Sequence, residues 1–274
     1  MKRTPRKARR QYSPGSVMAE QKTPPSLHGK VVLVTGASRG IGAAAAIRLA
    51  QGGAAVVVNY FQNKDAAQKV LAEIESGGGR GMIFQADVRQ RSQVDAMVAA
   101  TKAKLGALDV LVNNAYFPFQ VSPLHEISWE RFHAAIDHEL SAFYHCVQAC
   151  LPDMRAQKAG RIVVVSTRLA QQPLPRMGAY AAAKSALESM ANTMAIELGP
   201  LGIAVNVVTP AFTLTDASMI MPEAFRERVK ETRPLKKHLY PQDVAGAIAF
   251  LAGDEASMLT GSHILITGGS HLQL

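Results

Sequence analysis

From Lys30 to the end of the chain, short β-branched runs alternate with longer alanine-rich stretches, and this alternation restricts the fold more than any other feature. Val31–Val34, Ala55–Val58, Gly81–Phe84, Val110–Val112, Ile162–Val165, Ala204–Val208 and Ile264–Ile266 read as strands. They are short and almost continuously apolar, the pattern of strands buried on both faces. Helical spacing predicts helices near 41–51, 64–76, 91–105, 128–155, 179–199 and 241–252. Strand and helix in turn imply parallel strands joined by crossovers. The predicted class is therefore α/β, one doubly wound domain with a seven-stranded parallel sheet and helices on both faces. Residues 213–240 break the rhythm. They are longer than an ordinary connection and hold Met219, Met221, Phe225 and Leu235, which predicts a substrate lid.

Charge is placed unevenly. Residues 1–29 carry seven Lys/Arg (Lys2, Arg3, Arg6, Lys7, Arg9, Arg10, Lys22) against one acid, Glu20, and so hold six of the nine net positive charges. With Pro5, Pro14, Pro24 and Pro25 and few apolar residues, this segment predicts a disordered basic tail over 1–28 ahead of a domain over 29–274. The near-neutral remainder argues against a nucleic-acid face. No apolar run follows the tail's charges as a secretory signal requires, and no stretch reaches the roughly 18 apolar residues of a membrane helix. Cys146 and Cys150 share one helical face and read as packing residues, so nothing points to an oxidising compartment and a cytoplasmic location is expected. His133, His138 and His145 are spaced by five and seven, which forms no i, i+4 ligand pair, and no metal is predicted.

The first strand runs into Thr35-Gly36-Ala37-Ser38-Arg39-Gly40-Ile41-Gly42 and then a helix. Glycines let the backbone turn tightly and approach a pyrophosphate, and the N–H groups at the helix start hold the phosphates. A glycine triplet is weak alone; its strand–turn–helix setting makes it specific. A site for NAD has an acid about 20 residues on that bonds the ribose 2′-hydroxyl. Residues 56–63 contain none, and Tyr60 stands where it is expected. Arg39, with Asn63 or Lys64, can meet a 2′-phosphate, so the predicted cofactor is NADP(H).

Tyr180 and Lys184 are four apart on a predicted helix and face the same way. A phenol with a pKa near 10 is a poor acid at neutral pH, and an adjacent ammonium stabilises its phenolate. Thr167, with Ser166 beside it, ends the preceding strand thirteen residues earlier and offers a hydroxyl to a substrate carbonyl.

Taken together these residues resemble the short-chain dehydrogenase/reductase family, over roughly residues 30–270. The resemblance implies a Rossmann-type sheet in the order 3-2-1-4-5-6-7 and a homotetramer or homodimer built on the helices near 128–155 and 179–199. It implies that Asp87 and Val88 contact adenine, that Asn113-Asn114-Ala115 lines the cofactor groove, and that Asn206, Pro210 and Thr215 frame the nicotinamide. Tyr180 becomes the acid, Lys184 the ribose anchor and Thr167 the carbonyl donor. The closing Gly261 and Gly268-Gly269 also fit.

Five departures stand out. Threonine (Thr167) replaces the family serine, Glu139 stands in place of the asparagine that holds a relay water, Tyr116 replaces a glycine and is followed by Phe117-Pro118-Phe119, Ala211 replaces the glycine after Pro210, and Thr267 replaces an aspartate. The nearest branch is the 3-oxoacyl-carrier-protein reductase-like proteins, by Asn206–Phe212 and Leu251–Ala256. Lys158 fills one position where such reductases use a basic residue to dock an acidic carrier, and Leu198–Gly202 offers none, which leaves a carrier-bound substrate open. The leading expectation is NADPH-dependent reduction of a small-molecule ketone, or oxidation of the matching alcohol. The rival, prompted by Glu139, Tyr116 and Thr267, is a cofactor-binding protein without turnover.

Overall fold

The computed structural model describes residues 26–216 and 218–272. Residues 1–25 of the expected tail lie outside them. The tail boundary at 28 needs correcting, because Leu27 is buried in the core and its N–H donates to Gly52 O at 2.8 Å. An apolar side chain with a core-facing position and a backbone partner belongs to the folded unit.

Seven strands form the sheet: β1 (Val31–Val34), β2 (Ala55–Tyr60), β3 (Arg80–Gln85), β4 (Val110–Asn113), β5 (Gly160–Val165), β6 (Ile203–Pro210) and β7 (His263–Ile266). All pair in parallel, in the order 3-2-1-4-5-6-7. Between them run α1 (Gly40–Gln51), α2 (Lys64–Ser76), α3 (Arg91–Lys104), α4 (Trp129–Gln157), α5 (Gly178–Leu198), α6 (Glu223–Glu231) and α7 (Pro241–Ala252). Strand alternation divides the core between the two faces. Val32 and Val34 pack with α1 and α7, and Val31 and Leu33 pack with α4 and α5.

The chain order reverses at β1, which lies between β2 and β4. The crevice of a doubly wound sheet opens outside the carboxyl ends of the strands at such a switch point. The segments leaving β1, β4, β5 and β6 all emerge there, and they carry the residues singled out above. α6 falls inside 213–240, where the sequence predicts only a lid. It is short and none of its residues is fully buried, its apolar face being limited to Phe225 and Val229.

Candidate active site

β1 ends at Val34 and the chain turns into α1. Gly36 has φ +62, and a Cβ there would stand 2.8 Å from Ala115 Cα. A Cβ at Gly42 would stand 2.4 Å from Gly36 O and 2.5 Å from Asn114 Nδ2. Both positions therefore need glycine for close packing against the segment after β4. Thr35 Oγ1 accepts the N–H groups of Asn114 at 2.9 Å and Ala115 at 3.0 Å. Asn114 Nδ2 donates to Thr35 O at 2.9 Å and Gly36 O at 3.2 Å, so its amide holds the turn in shape and has no free hydrogen for a ligand. α1 begins with no capping side chain and no acid in its first turn. The N–H groups of Gly40, Ile41 and Gly42 are thus offered to an anion, a donor set that suits a diphosphate. Ser38 lies in the turn beside them, and the Thr215 methyl lies 3.4 Å from where a Gly40 Cβ would be. A cleft of about 540 Å³ opens from Gly40 and Thr215 past Ile47 to Met219 and Tyr240, and Tyr180 is not among its walls.

At the end of β2 the expected ribose contacts separate. Tyr60 is only 5% exposed and belongs to the core layer under α1 and α2, so its ring forms a floor. Asn63 caps α2 by accepting the Ala66 N–H at 3.0 Å, and Lys64 is exposed at the first turn of α2. Asn59 Oδ1 accepts the Gly36 N–H at 3.1 Å while its Nδ2 donates to Ala86 O at 3.1 Å, tying the glycine turn to the end of β3. Arg39 is exposed, and no ion pair engages it among the described residues.

Beyond β3, the carboxylate of Asp87, the expected adenine contact, takes a bidentate bond from Arg89, Nε to Oδ1 at 2.9 Å and Nη2 to Oδ2 at 2.7 Å. That side-chain bond is the main reason its pKa lies below the usual carboxylate value, partly opposed by burial. The Arg89 guanidinium sits 5.8 Å from the Phe61 ring centroid and 5.6 Å from that of Phe117, and its Nη1 approaches His138 Nε2 at 3.3 Å. Val88 is buried beside the pair. Arg89 escaped the sequence reading. Its signal was a cation two residues past an acid, in a segment leaving the carboxyl edge of the sheet.

α5 sets Tyr180 and Lys184 one turn apart on the same face. Lys184 Nζ donates to Glu139 Oε2 at 2.9 Å and to Val165 O at 3.1 Å. Glu139 Oε1 has no hydrogen-bond partner among the described residues. Burial disfavours the ammonium, but the Glu139 carboxylate, followed by Tyr180, outweighs it and holds Lys184 above its ordinary value. For Tyr180 the expected lowering by Lys184 is not the net result. Burial pushes the phenol up, Lys184 pulls it down, Glu139 pushes it up again, and the nearby Thr167 side chain favours phenolate. The balance lies above the ordinary tyrosine value, because desolvation and an added carboxylate outweigh one ammonium.

Ser166 and Thr167 are told apart by their partners. Ser166 is buried and its hydroxyl donates to Glu188 Oε1 at 2.6 Å, facing α5. Thr167 accepts the Leu169 N–H at 3.3 Å and stands beside Tyr180. Pro210 closes β6. Asn206, expected near the nicotinamide, instead joins β6 to the approach to β7, with Nδ2 donating to Leu259 O at 2.8 Å and Oδ1 accepting the Ser262 N–H at 3.0 Å. Thr267 keeps a structural role, accepting the Gly269 N–H at 3.2 Å. Lys158 caps α4 just before β5, at the amino edge of the sheet and opposite the edge that carries Thr167 and Tyr180.

Comparison with known proteins agrees with this geometry. The family model described as "Enoyl-(Acyl carrier protein) reductase" matches residues 36–271. The 3-oxoacyl-[acyl-carrier-protein] reductase FabG of Staphylococcus epidermidis is 34% identical, with 89% of this chain and 99% of that protein covered. The 3-oxoacyl-[acyl-carrier-protein] reductase of Synechocystis is 38% identical, with 89% and 98% covered. A dehydrogenase/reductase from Sinorhizobium meliloti superposes with a TM-score of 0.83 at 36% identity, covering 90% of this chain and 97% of that one. NAD+-bound xylitol dehydrogenase also gives 0.83, at 27% identity, with 91% and 100% covered. The Rossmann-type sheet in its 3-2-1-4-5-6-7 order, the glycine turn and the extent of these matches establish that the chain belongs to the short-chain dehydrogenase/reductase family, as a nicotinamide-dependent oxidoreductase acting on CH–OH or C=O groups.

Proposed function

We propose that the protein reduces a small-molecule ketone with NADPH, or oxidises the matching secondary alcohol. The observation that carries the reading is the convergence of Tyr180, Lys184 and Thr167 at the carboxyl edge of β5, beside the glycine turn. Gly40, Ile41 and Gly42 offer N–H groups to the diphosphate, and Lys184 and Tyr180 face the nicotinamide ribose. When bound, the nicotinamide supplies the hydride. Thr167 donates its hydroxyl hydrogen to the substrate oxygen and holds the carbonyl against Tyr180. Tyr180 keeps its proton until negative charge develops on that oxygen and then gives it up, and the Lys184 ammonium stabilises the phenolate left behind.

The preference for the phosphorylated cofactor rests on Arg39, exposed in the glycine turn, and on the absence of any acid among residues 56–63 at the ribose edge. By likeness to its 3-oxoacyl-[acyl-carrier-protein] reductase relatives, the chain takes a 3-oxoacyl-type carbonyl as one substrate class. A homotetramer or homodimer and a cytoplasmic location belong to the same reading. The test is loss of NADPH absorbance with a panel of β-keto esters, diketones and aryl ketones. Turnover with NADPH exceeding that with NADH supports the reading. Absence of turnover across the panel, by folded and NADPH-bound protein, would overturn it in favour of a binding protein.

A further inference from the structure

The segment between β4 and α4 departs from the family pattern at Tyr116, and its aromatic residues gather on the catalytic phenol. Phe119 stacks on Tyr180 with ring centroids 4.6 Å apart and planes 13° from parallel. Tyr116 meets Tyr180 edge-on at 6.4 Å and Phe119 edge-on at 6.3 Å. The three rings form one connected wall. It is also tethered. Pro118 fixes φ just ahead of Phe119, the Ser122 N–H donates to Arg176 O at 3.1 Å, and Leu124 lies against Gly178, where a Cβ would come within 3.1 Å.

The same edge of the sheet carries exposed apolar side chains. Tyr116, Val121, Leu124, Leu174, Met219 and Ile220 are all exposed, and they sit on the three segments that leave β4, β5 and β6 at the carboxyl edge. Exposed apolar side chains collected at the mouth of a crevice mark a ligand surface. A substrate that places its carbonyl oxygen between the hydroxyls of Thr167 and Tyr180 must lie along the Phe119 and Tyr116 rings. Flat π surfaces pair with such rings by stacking and edge contacts; a flexible alkyl chain gains only area.

We infer that Phe119 and Tyr116 are specificity-determining residues that select a planar, conjugated carbonyl, of the aryl-ketone class, over a flexible aliphatic 3-oxoacyl chain. The inference rests on the ketone-reducing reading above and names the substrate class within it. Tyr180 and Thr167 engage the oxygen of either substrate. The wall acts on the rest of the molecule.

The experiment compares the parent with Phe119→Leu, Phe119→Ala and Tyr116→Gly on two probes, acetophenone and ethyl acetoacetate. kcat/KM with NADPH is measured for each, as is binding of each carbonyl by calorimetry to NADP+-loaded protein. The expected result is a parent preference for the aryl ketone. In Phe119→Ala that preference falls by about three- to tenfold, the aryl probe losing more than the aliphatic one, as the loss of one aromatic surface implies. Tyr116→Gly lowers it by a smaller factor, and Phe119→Leu, which keeps apolar bulk, behaves like the alanine variant. Equal losses on both probes would overturn the inference, as would a parent preference for the aliphatic probe. If no carbonyl is turned over, the ketone-reducing reading fails, and the binding arm still decides whether the wall selects planar carbonyls.

Discussion

Lys184 Nζ stands 2.9 Å from Glu139 Oε2, and the two residues are only 4% and 3% exposed. The Glu139 carboxylate acts on both Lys184 and Tyr180. It favours the Lys184 ammonium and disfavours the Tyr180 phenolate. On the proposed mechanism the first effect secures the cation that would anchor the ribose, and the second keeps the acid protonated to higher pH. Ketone reduction needs Tyr180 protonated, so its activity falls as pH rises through the Tyr180 value. Glu139→Asn removes the carboxylate, lowers that value, and is expected to move the alkaline limb of the reduction profile to lower pH. An unmoved limb with intact cofactor affinity would place Glu139 outside the catalytic network.

The same pair sets a stability expectation. Removing one partner leaves the other charge buried, so Lys184→Met should cost about 3–5 kcal/mol. The double variant Lys184→Met with Glu139→Leu should recover much of that loss, and chemical denaturation of the four proteins closes the cycle. Lys184 and Tyr180 both lie above their ordinary values of 10.5 and 10.0. The folded state therefore holds these protons more tightly than the unfolded chain does. That contribution is fully present below the unfolded values and is lost as pH rises through the folded ones. A parent whose stability stays flat with rising pH in this range would contradict the assignment.

Arg39 and Arg89 should separate in their effects on cofactor. Arg39→Ala is expected to weaken NADPH by about tenfold to a hundredfold, the scale of a hydrogen bond to a charged group, and to leave NADH nearly unchanged. Arg89 is bound to Asp87 and flanked by Phe61 and Phe117, where the proposed cofactor would lay its adenine. Arg89→Gln should weaken both cofactors by a similar factor. Titration of the two variants with both nucleotides checks this, and a phosphate-selective loss in Arg89→Gln would reassign the 2′-phosphate contact.

Gly42→Ala places a methyl 2.4 Å from Gly36 O, a backbone atom held by the turn. The expected outcome is a loss of roughly 1–3 kcal/mol or more, with NADPH binding weakened in step because the phosphate cradle shifts. Thermal melting with and without NADPH measures both. Gly199→Ala, where a Cβ meets nothing within 4 Å, serves as the control and should melt close to the parent.

Thr167→Ser keeps the hydroxyl that faces the substrate and should retain most activity, while Thr167→Val should lose about a hundredfold or more in kcat. Because Thr167 also accepts the Leu169 N–H, both melting temperatures are needed to separate the chemistry from the cap. Equal activity in the two variants would remove Thr167 from its role as carbonyl donor.

The alternation of apolar strand and alanine-rich helix already determined a parallel doubly wound sheet, because strands buried on both faces have no polar side to disguise them. The glycine turn was equally plain, since only glycine admits the approach of Gly36 to Ala115 and of Gly42 to Gly36. Tyr180 and Lys184 needed no more than helical spacing to be paired. What the sequence could not convey was which polar groups satisfy one another across the sheet. Ser166 and Thr167 are adjacent and chemically alike, and only the approach of Glu188 from α5 shows which hydroxyl is spent. Asp87, Asn63, Asn114 and Asn206 look like free ligands in a string of letters, yet each is bonded within the protein. α6 is only nine residues long and shows just Phe225 and Val229 as an apolar pair, and Leu27 looked like part of the tail until its core neighbours were in place. Periodicity encodes burial, which is local to an element. Hydrogen-bond satisfaction, pKa balance and the stacking of Phe119 on Tyr180 depend on partners distant in sequence, and the tertiary structure alone brings those together.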